Sequence, residues 1–293
     1  MGGRSRGDSA VGRGCCPGSF GELLQGALPG NDLDFLVTLP IRLWSEATFR
    51  PSARLDRVRV VPEGKVKARV AAQRTLAASG LPPGGELTLT SPLPEGKGLA
   101  SSTADMVAAV RAVCAAHGRA ASPCAIELLI RGIEASDGVM YAGVVAYRHR
   151  QVRLHRTLGA LPAMTILAVD EGGAVDTVAF NRRPRQFARS DKEEYAVLLS
   201  RMQHAVAASD LPEVGRLSTR SAVLHQRRLP KRLLGDVLAI SREIGALGVG
   251  VTHSGTCLGL LLDPAEARYR RQLSQGKRLL AELGQPVAAL RSA

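Results

Sequence analysis

The sequence predicts a mixed α+β protein, on three observations. Short apolar runs broken by glycine and proline dominate residues 14–99, the mark of strands joined by turns. Helical periodicity dominates from about residue 190 onward. Between them, a glycine-bearing loop joins a short alternating strand to a helix with an apolar stripe. At 293 residues, 45% hydrophobic and 22% charged, the chain has enough apolar material for one large domain or two ordinary ones, which excludes a disordered chain. No apolar run approaches the roughly 18 residues that a spanning helix needs.

Taken in order, residues 1–13 are rich in glycine, arginine and serine with no apolar stretch, so they read as a flexible leader and the protein as cytoplasmic. Residues 33–44 and 46–61 read as strands. Residues 66–79 form an Ala-rich helix closed by Gly80 and the Pro82–Pro83–Gly84–Gly85 turn. Residues 86–90 alternate as a short strand. In the next helix, residues 102–117, Met106, Val110, Val113, Cys114 and His117 share one stripe. A helix over 123–134 opens after Ser122 with proline in its first turn. Strands follow at 144–158 and 164–169, then helices at 191–209, 211–226, 233–247 and 264–283. The apolar, Gly-rich stretch 249–262 between the last two reads as a buried strand with a turn in it. Composition shifts near residue 160, which divides the chain into an expected domain at 14–160 and another at 161–293.

The net charge of +13 comes mostly from arginine, with 33 of the 39 basic residues. Such a surface suits nucleic acid, an anionic membrane or phosphorylated ligands, but 3% aromatic residues leave little for base stacking. The basic residues are scattered, with short clusters at Arg182–Arg183–Pro184–Arg185, Arg227–Arg228 and Arg270–Arg271. Five cysteines without a CxxC pair indicate neither a zinc site nor a disulfide framework.

The segment richest in chemistry is Pro94–Glu95–Gly96–Lys97–Gly98–Leu99–Ala100–Ser101–Ser102–Thr103–Ala104–Asp105. Gly96 and Gly98 permit close backbone approaches, and the following helix offers unpaired N–H groups and its positive end, so the segment suits a phosphate. It is neither a Walker A loop nor a dinucleotide fingerprint. Ser102 and Asp105 also suit an ordinary capping box. Lys97 either meets a phosphate oxygen or projects into solvent. Asp137 precedes Gly138 and reads either as a general base or as a turn former. Asn31, Asp34 and Thr38 stand by the start of an expected strand, and the Asp34 carboxylate suits an ammonium group.

These residues resemble the motifs of the GHMP kinases, whose phosphate motif Pro-x-x-x-Gly-Leu-x-Ser-Ser-Ala is matched at Pro94, Gly98, Leu99, Ser101 and Ser102, with Thr103 in place of alanine. Cys16–Pro17–Gly18–Ser19–Phe20–Gly21–Glu22–Leu23–Leu24–Gln25–Gly26 is similar to their N-terminal strand-turn motif, though Glu22 comes early and Gln25–Gly26 replaces Gly-Glu-His. Residues 248–259, around His253–Ser254–Gly255–Thr256, are similar to their C-terminal glycine motif. The wording, with Glu134–Ala135–Ser136–Asp137–Gly138, is closest to the PduX-like branch of L-threonine kinases of cobalamin metabolism.

The resemblance implies a ribosomal S5 domain 2-like N-terminal domain and a ferredoxin-like C-terminal one. It implies ATP and Mg²⁺, with Pro94, Gly96, Lys97, Gly98, Leu99, Ala100, Ser101, Ser102, Thr103, Ser254, Gly255 and Thr256 around the phosphates. Asp137 is the implied base, and Ser19, Gly21, Glu22, Asp34, Gly138 and His253 the acceptor side. Ser102 and Glu134 are the implied magnesium ligands, with Glu127 as competitor; seven residues, two helical turns, separate the two glutamates. The expected partner is a small molecule, L-threonine or a related hydroxylated amino acid or alcohol, with no nucleic acid or membrane; a homodimer is allowed for. A reading of a different class, a non-catalytic nucleic-acid binder, rests on the charge alone.

Overall fold

The computed structural model describes residues 11–30, 34–173, 175 and 187–293. Residues 1–10 of the expected leader, Asn31 and the Arg182–Arg183–Pro184–Arg185 cluster lie outside the described residues. Gly12 and Arg13 already belong to the first strand, β1 (Gly12–Ala27). The chain divides into two compact units that interleave in sequence. Described residues of Met1–Cys16, Trp44–Pro92 and Ser102–Ile133 form one; those of Pro17–Leu43, Leu93–Ser101 and Glu134–Ala293 form the other.

In the first unit, the end of β2 (Asp34–Pro51) pairs antiparallel with β4 (Gly85–Thr90), Glu46 opposite Thr90. On the other side of β4 runs β3 (Val58–Val61), parallel, with Val60 opposite Leu87. A parallel pair needs a crossover, and α1 (Val66–Ala78) supplies it. The strand expected over 46–61 is therefore two strands, divided at Pro51 and the turn after it.

The helix α2 (Ser101–Ala116) is buried far beyond a single stripe: Ala104, Met106, Val107, Ala108, Ala109, Val110, Ala112 and Val113 are all inaccessible. Small residues make this possible. A Cβ on Gly12 or Gly14 would run into the α2 backbone at Ala112 or Ala108. Asp105 is buried among these residues, and its carboxylate accepts from Ser45 Oγ (2.5 Å) and pairs with Lys65 Nζ (2.7 Å). A buried charge is tolerated only with such partners. The acid that the sequence places in a capping box thus binds residues from elsewhere in the unit.

The helix α3 (Pro123–Ile130) opens on Ser122, whose Oγ accepts from Ala125 N. It is shorter than expected. Arg131 leaves helical geometry, and Gly132 at φ +78° turns the chain away. Glu127 is on this helix and Glu134 is not, so the two-turn argument that put them on one face fails.

The second unit contains the rest of β1 and β2, with β5 (Val144–Arg148), β6 (Arg153–Gly159), β7 (Thr165–Asp170), β8 (Gly248–Val251), β9 (Cys257–Leu262) and β10 (Val287–Arg291). The order β10–β7–β9–β8–β1 is antiparallel throughout, with Glu22 opposite Val251. The strand expected over 144–158 is a hairpin, β5–β6, turning through residues 149–152. β5 also pairs with β2, Leu36 opposite Tyr147. The predicted buried strand over 249–262 is the β8–β9 hairpin.

The unit's described helices are α4 (Arg189–Ala207), α5 (Leu211–His225), α6 (Leu234–Ile244) and α7 (Tyr269–Ala281). Asp210 caps α5 by accepting from Glu213 N at 2.9 Å. Val237 and Ile240 of α6 and Leu280 of α7 pack with Val249, Leu258 and Leu260 of the sheet. Each such side chain contributes about 1.5–3 kcal/mol when fully buried. Gly215 of α5 and Gly248 of β8 lie so close that neither has room for a Cβ. No described helix is long and apolar enough to cross a membrane, and none of the five cysteines is in a disulfide.

Candidate functional site

Residues 93–101 leave strand geometry and run into α2. Gly96 (φ +72°), Gly98 (φ +80°) and Ala100 (φ +58°) adopt positive φ, while Lys97 and Leu99 do not. Positive φ at alternate residues bends the loop sharply and is one requirement of a backbone nest that turns its N–H groups toward an anion. Ala100 has a Cβ, so its left-handed conformation costs about 1–3 kcal/mol, held here by the surroundings. Leu99 supplies part of that hold: its side chain is buried and its carbonyl accepts from Ser19 N at 3.2 Å.

The C-terminal glycine motif packs against this loop. A Cβ on Gly98 would lie 2.5 Å from Thr252 Cβ and 3.0 Å from Gly255 Cα, and one on Gly255 would collide with the Lys97 carbonyl. Two motifs more than 150 residues apart in sequence meet backbone to backbone. Gly255 is buried, with Ser254 and Thr256 half-buried beside it. Pro94 precedes the turn, and Ser101 is buried where the loop enters α2. Ser102, Thr103 and Glu127 belong to the first unit.

The N-terminal motif lies along β1. Ser19 Oγ accepts from Leu39 N (3.2 Å) and lies 3.0 Å from Gly21 O. Within β1, Gly21 departs from extended geometry at φ +50°, where a Cβ would strike the Val251 carbonyl. Glu22, the next residue, is only 4% exposed, and its Oε2 makes no hydrogen bond among the described residues. Its neighbour is Asp137. Burial, then the charge of Asp137 and a hydrogen bond with it, push the Glu22 carboxyl well above the usual carboxylate range. For Asp137, burial of its carboxyl and then the charge of Glu134 outweigh the bond from Glu22 and push its pKa up to about 6. In this pair Glu22 keeps the proton and donates a hydrogen bond to the Asp137 carboxylate. Gly138 fits closely beneath: a Cβ there would lie 2.5 Å from Val145 Cγ2.

Asp34 is buried and pairs with Arg150 Nε at 2.7 Å. His253 sits among other imidazoles, its ring centroid 4.9 Å from that of His149 and 5.4 Å from that of His225. Its Nδ1 donates to Gln25 Oε1 (2.7 Å), and its carbonyl accepts from His225 Nε2 (3.0 Å). Burial is the main cause that keeps both rings neutral. It acts on His225, with Lys231 and Arg228 adding to it, to bring the pKa down to about 3. It acts on His253 with His149, His225, Arg228 and Arg150, and the pKa falls well below the ordinary value.

Two members of this cluster lose stability in acid. His225 and His253 take up protons near pH 6.5 in the unfolded chain but not when buried, so their contribution to stability is fully present above pH 6.5 and is lost as pH drops below it. Each such histidine costs about 1.4 kcal/mol per pH unit. The midpoint of thermal unfolding is expected to fall steeply from pH 7 to pH 5, and His225→Gln to flatten that fall. An unchanged slope in the variant would exclude His225 as its source.

Sequence reasoning missed Asp170 and Arg150, and it gave no role of their own to Gln25 of the N-terminal motif or to Lys231, which fits the family's C-terminal half within Leu229–Pro230–Lys231. Lys231 is buried; its Nζ donates to the Gly255 carbonyl, and burial brings its pKa down to about 8 despite nearby Glu171 and Asp170. A usable signal was its rarity. The chain has six lysines against 33 arginines, and Lys65, Lys97 and Lys231 each bind a carboxylate or carbonyl at or near the motifs.

Residues 65–144 match the GHMP kinases N terminal domain and residues 202–275 the GHMP kinases C terminal domain. The chain is 29% identical over 276 residues to an L-threonine kinase of Salmonella typhimurium, covering 91% of this chain and 87% of that one. It is 28% identical over 254 residues to one of Citrobacter freundii, covering 85% of each. Among solved structures, a homoserine kinase from Cytophaga hutchinsonii superposes with a TM-score of 0.75 at 17% identity, over 100% of this chain and 97% of that one. A mevalonate kinase of L. major reaches 0.67 at 18% identity, over 98% and 96%. Those two likenesses speak for the fold. With both halves of the family matched in order and its phosphate and glycine motifs interlocked, the chain belongs to the GHMP kinases.

Proposed function

We propose that this kinase transfers the γ-phosphoryl group of ATP to the side-chain hydroxyl of L-threonine, giving O-phospho-L-threonine and ADP. The observation that carries the acceptor is the similarity to L-threonine kinases over most of the chain. The interlocked turns around Gly98 and Gly255 support phosphate binding through backbone N–H groups. Asp137 takes the hydroxyl proton as the oxygen attacks the γ-phosphorus and the bond from that phosphorus to the β,γ-bridging oxygen breaks. Ser19, Gly21, Glu22, Asp34, Gly138 and His253 serve the acceptor side, Asp34 with its charge already paired to Arg150.

Among the described residues no group of three or more His, Cys, Asp or Glu is arranged to hold a metal alone. The hydroxyl and carboxylate donors present suit magnesium in the mode where one or two protein groups join phosphate oxygens and water. Ser102 and Glu134 would hold it, with Glu127, buried on α3, as the competing carboxylate. Bound there, magnesium neutralises phosphate charge.

The test is ADP release with L-threonine, L-serine, L-homoserine and isopropanol. L-Threonine should give the highest kcat/KM, isopropanol the lowest by a wide margin, because a pocket built for ammonium and carboxylate is left with unpaired groups. A higher kcat/KM for another acceptor would overturn the substrate. Salt-sensitive RNA binding without ATP binding would overturn the kinase reading altogether.

A further inference from the structure

Lys97 does not wait beside the phosphate loop as a bare cation. Its Nζ lies 2.6 Å from Asp170 Oδ2 and donates to the Gly173 carbonyl at 2.6 Å. Asp170 ends β7 and belongs to none of the three motifs. Its other oxygen accepts from Gly172 N (3.0 Å) and from the Thr256 hydroxyl. The backbone around it repeats both attachments: Glu171 N donates to Thr256 O (3.1 Å) and Val175 N to Gly96 O (3.3 Å). One carboxylate therefore grips the lysine of the phosphate loop with Oδ2 and the glycine turn with Oδ1. Burial raises the Asp170 carboxyl, but the bonds from Lys97, Thr256 and Gly172 outweigh it and hold it below its ordinary range.

We propose that Asp170 is a positioning residue that competes with nucleotide phosphate for the Lys97 ammonium and so sets the affinity for ATP. This rests on the reading of residues 94–103 as the phosphate loop. Carboxylate and phosphate oxygens are equivalent acceptors for an ammonium, which carries three N–H groups and no fixed fork. The side chains of Lys97 and Asp170 are 20% and 33% exposed, so solvent screens the pair and exchange for a more highly charged anion is not prohibitive. The Oδ1 bonds keep the carboxylate in place during the exchange, and Lys97 returns to it when product leaves.

The experiment is a double-mutant cycle on ATP affinity, at fixed magnesium and ionic strength, with adenosine as the ligand that lacks phosphate. Asp170→Asn keeps an oxygen for Thr256 and Gly172 N but removes the charge from Lys97. It should tighten ATP binding by about two- to fivefold, the range of a partly exposed ion pair. In a Lys97→Met background the same change should have a clearly smaller effect. Adenosine affinity should not move, and Asp170→Glu should return ATP affinity toward wild type. Weaker ATP binding in Asp170→Asn, or an equal change with and without Lys97, would overturn the competition. A wild type that binds adenosine and ATP equally well would instead overturn the phosphate loop, and the proposal with it.

Discussion

Asp137→Asn is expected to lower kcat by about 10²–10⁴-fold, with a smaller change in the KM for ATP. A secondary alcohol is almost fully protonated at neutral pH, so attack on phosphorus gains from a base within hydrogen-bond reach. Asparagine keeps the shape and still accepts from the protonated Glu22, but it has no basicity. The pH profile supplies a second reading. With its pKa pushed up to about 6 by burial and the Glu134 charge, Asp137 is a carboxylate above that pH and protonated below it. Wild-type kcat should therefore fall as pH drops through about 6, and the variant should lose that limb. Single-turnover measurements decide the matter, since near-normal turnover of Asp137→Asn with chemistry limiting would remove the base assignment.

The second large effect concerns nucleotide binding. Gly98→Val should weaken ATP binding by about 1–3 kcal/mol, the ordinary cost of forcing atoms into a filled site. Two causes act together. The residue sits at φ +80°, where a β-branched side chain is strained, and its Cβ would fall 2.5 Å from Thr252 Cβ. The displaced loop would no longer meet the turn at Gly255. Calorimetry on the folded variant is the check; an unchanged ATP affinity would show that this loop does not hold the phosphates.

Much of the secondary structure was legible because local rules and tertiary demands agreed. Ser122 with Pro123 announced α3, and Asp210 with Pro212 announces α5, because capping is settled within four residues. The readings that went astray concern places where a break depends on distant partners. Residues 144–158 look continuous, yet the chain turns at 149–152 so that β5 can pair with both β2 and β6. Glu127 and Glu134 share a helical phase on paper, but Gly132 ends the helix between them. β10, five residues with weak alternation, is drawn into place by its pairing with β7.

By itself the sequence determined the mixed α+β class, the three glycine-bearing motifs and their order, and through them the kinase family. These features are local: a glycine at a positive φ, a serine before a helix and an apolar period are set by neighbours along the chain. Only the tertiary structure decided which charges meet. It placed Glu22 against Asp137, gave Lys97 to Asp170, buried Lys231 under the Gly255 carbonyl and set the rings of His149 and His225 against that of His253. The reason is physical. Charge and protonation depend on burial and on partners up to 228 residues away, as His253 and Gln25 are, and neither has a period or a spacing in the sequence.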